Sequence, residues 1–169
     1  FVAGLKFNNL KSFLGDYKYI LRAMPTLGIS SGSSPIAFYT DMNINDNNAI
    51  DILEKLGSCL KIEEDKFDAF TSIFGAGPAF ISHLSNTLAK IAKEHGFEEP
   101  EPWIREILDG TSHIHKSDEK NSFENIVDMV ASKGGVTEAA LNKINEEGIE
   151  KIWNEAINDA ILKSRALGD

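Results

Sequence analysis

FGAGPAF, residues 74–80, sets two glycines and a proline directly ahead of the apolar run Phe80, Ile81, Leu84, Leu88 and Ile91. A dinucleotide fingerprint needs G-x-G-x-x-G after a buried strand. Gly75 and Gly77 supply its first half, but Phe80 stands where the third glycine belongs, and the preceding DKFDAFTSI reads as a helical turn. The stretch is therefore the start of a long helix, expected from about Pro78 to His95 and stopped by Gly96. Pro78 suits a first helical turn because its missing N–H would have had no partner there. Two readings of the glycines stay open. They are either a close helix–helix crossing or a helix start whose free N–H groups and dipole face a carboxylate or phosphate.

A second glycine-hinged helix start favours the anion. In ASKGGVTEAAL, residues 131–141, Gly134 and Gly135 precede Thr137, which is expected to cap a helix beginning at Glu138. Amides of the flexible pair can curl around a small anion, and the two helix starts could converge on one ligand. The four histidines offer no comparable constellation. His113 and His115 point to different helix faces, and His83 and His95 lack carboxylate or cysteine neighbours at metal spacing, so no metal site is expected.

Outward from these loops the chain changes character near residue 64. Before it, FVAG (1–4), KYILRAM (18–24), PIAFYT (35–40) and CLKIEE (59–64) read as strands. A helix capped by Asn45 or Asp46 and ending at Gly57 separates the last two, so some parallel pairing is expected. After residue 64 the pattern is helical throughout, with helices near 103–115, 121–132 and 138–147 and a last one from Ile149. Ile149, Ile152, Trp153, Ala156, Ile157, Ala160 and Ile161 draw one stripe down that last helix. The pattern is that of an α/β region over 1–63, followed by an all-α region over 64–169. Several apolar stripes on the helices exceed what one small bundle must bury, which points to a core shared between subunits.

The 169 residues carry a formal charge of -9, which repels a phosphate backbone, and their 17 basic residues form no cluster, so no nucleic-acid partner is expected. No apolar run approaches the ~20 residues of a membrane span. The lone Cys59 has no partner for an internal disulfide and suits a reducing cytoplasm, the expected location. The opening FVAGLKF reads as a strand end entered in mid-fold and not as a signal peptide.

Four motifs in order resemble one family. Glu64, Asp68, Ala69 and Thr71 followed by GAGPAF resemble the E…DA-T…GSGPAY signature of the pyrroline-5-carboxylate reductases. VASKGGVTEAAL (130–141) resembles their V-S-S-P-G-G-T-T-x-A-x-L loop, and RAMP (22–25), preceded by VAG (2–4), resembles the R-x-M-P-N turn and the A-A-G strand end. AINDAILKSRAL (156–167) is similar to the terminal A-x-x-A-x-x-R-S-x-E-L helix. The departures are Phe74 and Ala76 for two serines, Phe80 for a tyrosine, Lys133 for a proline and Thr26 for an asparagine.

The resemblance implies an α/β remnant, the end of a Rossmann-type domain over 1–63, followed by an all-α dimerisation domain over 64–169. It implies reduction of 1-pyrroline-5-carboxylate to L-proline with NADPH or NADH. It further implies a homodimer, or a higher oligomer, built on interlocked helices, with the G-G-x-T loop supplied by the partner subunit. Carried over, Ser132 and the amides of Gly134, Gly135 and Val136 hold the substrate carboxylate, and Thr137 bonds the ring nitrogen. Gly75 and Gly77 border the substrate, while Ala3, Gly4, Met24, Pro25 and Pro78 lie at the nicotinamide end. The family's first strand and phosphate-binding loop belong roughly a hundred residues upstream and are absent from this chain, so a separate N-terminal half is a further expected partner. A second function class is an inactive paralogue or fragment serving as a dimerisation and assembly module. Phe74 and Ala76 favour it, whereas Ser132, Gly134, Gly135 and Thr137 favour the enzyme. Another NADP-linked dehydrogenase with a similar helical domain ranks last, because S-x-G-G-x-T is not its expected loop.

Overall fold

The computed structural model describes residues 5–17, 19–41, 48–117, 120 and 122–168. FVAG, and with it Ala3 and Gly4, lies outside them, as do the helix caps expected at Asn45 and Asp46. By compactness the chain forms two units, Phe1–Ile81 with Asn154–Asp169, and Ser82–Trp153. The sequence boundary at 63/64 marks a different event, the place where strands stop.

The first unit is built on a three-stranded sheet in the order β1 (Arg22–Met24), β2 (Ser34–Tyr39), β3 (Gly57–Lys61). β2 and β3 run parallel, with Ile36 opposite Cys59, because helix α2 (Asn48–Glu54) carries the chain back between them. β1 joins β2 antiparallel, Met24 facing Ala37. Its connection is too short for a crossover and is a 3-10 turn (Leu27–Ser31) with Thr26 as its cap. Ile36, Ala37 and Phe38 are buried, as expected of a strand paired on both edges. Ala37 forms a cluster with Phe67 and Phe70, flanked by Met24, Tyr39 and Ile62.

Two sequence expectations are corrected here. Gly57 does not end the helix but opens β3, and the strand occupies 57–61 where 59–64 was expected. A Cβ on Gly57 would lie 1.9 Å from the Ser34 carbonyl oxygen, so close backbone approach demands the glycine. Helix α1 (Phe7–Leu14) was not foreseen, although Phe7, Leu10 and Leu14 follow a helical period. Phe7 is buried edge-on against Tyr39, with ring centroids 5.0 Å apart, and Gly15 at φ 59 ends the helix.

No strand follows Lys61 among the described residues. Residues 64–75 wind through a 3-10 turn (Glu64–Lys66), a single turn α3 (Phe67–Phe70) and a π-helical turn (Thr71–Gly75) into α4 (Gly77–Glu94). The π turn suits Pro78, which cannot donate to the carbonyl four residues back and whose ring would clash with it in a regular helix. In the second unit α4 is followed by α5 (Glu101–Ser117), α6 (Phe123–Val130) and α7 (Val136–Glu146). Lys93 of α4 bonds Glu101 of α5 at 2.5 Å, which holds that carboxyl below its usual range. Helix α8 (Ile149–Gly168) closes the chain and places its last turns in the first unit. No helix is long and apolar enough to cross a membrane among the described residues.

Candidate active site

The motif residues of the first unit pair with one another. Arg22 of RAMP donates to Glu64 Oε1 at 2.5 Å, and its guanidinium lies 4.0 Å from the Phe67 ring centroid. The same Oε1 accepts from the Phe7 backbone N–H at 2.8 Å. Asp68 accepts from the Ser164 hydroxyl at 2.6 Å, joining the end of α8 to α3, with Arg165 3.9 Å from the other carboxylate oxygen. These residues hold the end of β1 and the 64–75 turns in place.

What they position is the junction of Met24, Pro25 and the GAGP turn. A Cβ on Gly75 would meet Met24 Cε at 3.6 Å, so the β1 end and the turn are neighbours, with buried Pro25 next in the chain. A Cβ on Gly77 would meet nothing within 4 Å, leaving open space in front of Pro78 in the first turn of α4. Neither glycine has positive φ, so openness, not backbone strain, is what they contribute. The expectation of a helix start with free N–H groups is corrected. The Ala76 N–H donates to the Thr71 carbonyl at 3.0 Å, and those of Ala79 and Phe80 donate to the Ala76 carbonyl. The π turn consumes donors that a fresh helix start would have left orphaned. Phe74, half exposed, leans on Phe70 with ring centroids 5.0 Å apart.

The second loop, in the other unit, joins α6 to α7. Gly134 takes φ 74, a left-handed conformation that only glycine adopts readily. Gly135 packs so tightly that a Cβ would fall 2.7 Å from Ser132 Oγ and 2.9 Å from its carbonyl oxygen. Gly135, not Thr137, is the cap residue: α7 begins at Val136 and Thr137 sits second in the helix. The expected capping role of Thr137 is thus overturned, because the tight Ser132–Gly135 turn brings the chain into helical geometry two residues earlier. Thr137 and Ser132 make no side-chain hydrogen bond to other protein groups among the described residues.

Two of the three amides assigned to the substrate already have partners. Gly135 N–H donates to the Ser132 carbonyl at 2.9 Å, and Gly134 N–H donates to Glu138 Oε2 at 2.7 Å. Val136, first in the helix, has an amide with no carbonyl four residues back in helical geometry. Glu138 escaped the sequence reading, yet it stands three residues after Gly135, the spacing of a capping box. No group of three or more His, Cys, Asp or Glu side chains could hold a metal ion among the described residues.

The family model for pyrroline-5-carboxylate reductase dimerisation matches residues 64–167, more than half of the chain. The pyrroline-5-carboxylate reductase of Aquifex aeolicus (strain VF5) is 31% identical over 172 residues, covering 98% of this chain and 64% of that protein. The crystal structure of 1-pyrroline-5-carboxylate reductase from Streptococcus pyogenes superposes with a TM-score of 0.80 at 27% identity, over 97% of this chain and 65% of that one. Plasmodium falciparum pyrroline carboxylate reductase, solved with NADP bound, shares the fold with a TM-score of 0.85 at 22% identity, over 99% of this chain and 68% of that one. The chain spans about 64% of the length of the Aquifex relative. With a dimerisation match over residues 64–167 and a fold shared across nearly its whole length, the chain belongs to the pyrroline-5-carboxylate reductase family.

Proposed function

We propose that this chain supplies the substrate loop and the dimer-forming helices of an enzyme that reduces 1-pyrroline-5-carboxylate to L-proline in proline biosynthesis. The observation that carries this reading is the Ser132–Thr137 loop. Within six residues it presents a serine hydroxyl, a left-handed glycine, the first amide of a helix and a threonine hydroxyl without a side-chain hydrogen-bond partner among the described residues.

Ser132 Oγ and the Val136 amide bind the substrate carboxylate, aided by the positive end of α7, and the Gly134 and Gly135 amides join them by giving up Glu138 and the Ser132 carbonyl. Thr137 then lies one residue further along and meets the ring nitrogen, keeping the imine proton where it makes the adjacent carbon electrophilic. Holding the carboxylate and the nitrogen at two points orients that carbon and removes the freedom that makes an encounter rare. In a homodimer with interlocked helices, the loop of one subunit completes the site that Gly75 and Gly77 border in the other.

The nicotinamide of NADPH or NADH fits the junction of Met24, Pro25, Gly75 and Pro78. Gly77 leaves open space there, and Met24 Cε closes one side, 3.6 Å from where a Cβ on Gly75 would lie. Ala3 and Gly4, outside the described residues, complete that end in this reading. When bound, the cofactor supplies the hydride. In this reading the cofactor phosphates are held by a dinucleotide-binding half, since no G-x-G-x-x-G sequence occurs in residues 1–169.

A second reading, an assembly module without turnover, draws on the engaged amides of Gly134 and Ala76 and on the Phe74 ring beside the turn. Pyrroline-5-carboxylate-dependent oxidation of NADPH and NADH, assayed with the chain alone and with a separately expressed dinucleotide-binding half, distinguishes the two. Turnover is expected only with both halves present. Silence in both assays would leave the assembly module.

A further inference from the structure

We infer that Glu138 sets how tightly the α6–α7 loop takes a carboxylate ligand, because its own carboxylate occupies one of the donors that ligand needs. The inference rests on the substrate reading above and concerns the same loop.

Gly134 N–H is 2.7 Å from Glu138 Oε2, the length of a charge-assisted hydrogen bond. An N–H directed at one acceptor has little left for a second. The left-handed φ of 74 at Gly134 and the bond from Gly135 N–H to the Ser132 carbonyl set the direction in which the Gly134 amide points. A substrate carboxylate reaching that amide must therefore displace Glu138 or bind beside it. Beside it, two anions sit about 4 Å apart in an exposed loop, where their repulsion amounts to about a fivefold loss of affinity. Displacement instead breaks the bond by which Glu138 ties down the loop just ahead of α7. Either way Glu138 weakens the anion's hold, and the chain keeps an ordered loop in the ligand's absence. Lys133, next to Gly134 in the chain, is the opposite charge nearest in sequence on the tip.

Glu138→Gln retains an acceptor oxygen for the Gly134 amide and removes the charge, so the start of α7 is preserved. The backbone amide resonances of Gly134 to Thr137 are followed as the chain and this variant are titrated with L-proline, and with L-prolinamide, which keeps the ring ammonium and lacks the carboxylate, as the control. The variant is expected to bind L-proline about threefold to tenfold more tightly than the parent, with no gain for the cationic L-prolinamide. Equal or weaker binding of L-proline by the variant, with the loop resonances still responding, overturns the inference and leaves the substrate loop standing. Loop resonances that ignore L-proline in both proteins overturn the inference and the substrate reading together.

Discussion

Gly57 and Thr137 are cases where the geometry changes what a substitution should do. A methyl group on Gly57 would lie 1.9 Å from the Ser34 carbonyl oxygen and 2.7 Å from its nitrogen, backbone atoms of a paired strand that cannot turn aside. Gly57→Ala is therefore expected to cost about 3 kcal/mol, read as a lowered urea midpoint, and an unchanged midpoint would contradict the β2–β3 register. Thr137, second in α7 and not its cap, loses no capping bond when truncated. Thr137→Ala should change stability by less than about 0.5 kcal/mol while lowering turnover of the assembled enzyme at least tenfold. Full activity in that variant would remove Thr137 from the chemistry. The two glycines before it were legible as a hinge, since Gly-Gly before a helix needs no tertiary information. The bond from Gly134 to Glu138 was not, because capping-box spacing points Glu138 at the amide of Gly135, and only the folded turn directs it to Gly134 instead.

Helix periods carried most of the helices. The 3.6-residue repeat located α4 to α8 to within a few residues, and β-branched and aromatic runs located β1 to β3 to within a few residues, because these patterns reflect which face each element buries. Three features lay beyond the pattern. The antiparallel direction of β1 depends on the short 3-10 connection, Gly57 serves β3 through its contact with Ser34, and the π turn follows from Pro78 acting on a helix that had already begun. The contact between α8 and α3 was invisible for a different reason, since Asp68 and Ser164 are 96 residues apart. Ser164 is buried and donates to Asp68 at 2.6 Å, so Asp68→Ala strands a buried hydroxyl. That variant is expected to lose about 1–3 kcal/mol in urea unfolding. Adding Ser164→Ala should restore part of the loss, and strictly additive losses would show that the bond contributes nothing.

The helices expose more apolar surface than one chain can cover. On α4, Ile81 and Leu84 are each 53% exposed, and on α8 Ile152 is 55% exposed, although all three lie on the apolar runs read from the sequence. Such faces are costly in water and fit a core completed by a second copy, in line with the dimerisation family that residues 64–167 match. Leu84→Asp is expected to convert a dimer to monomer in sedimentation at micromolar concentration, and an unshifted dimer would remove this face of α4 from the interface. The sequence by itself determined the class of fold, the helical half and the two glycine-rich loops, because hydrophobic period, glycine and proline act over a few residues. Tertiary structure alone decided that Arg22 meets Glu64, that Ser164 meets Asp68, and that Gly75 opens against Met24. Those pairings join residues distant in the chain, and their geometry exists only once the packed core has brought the elements together.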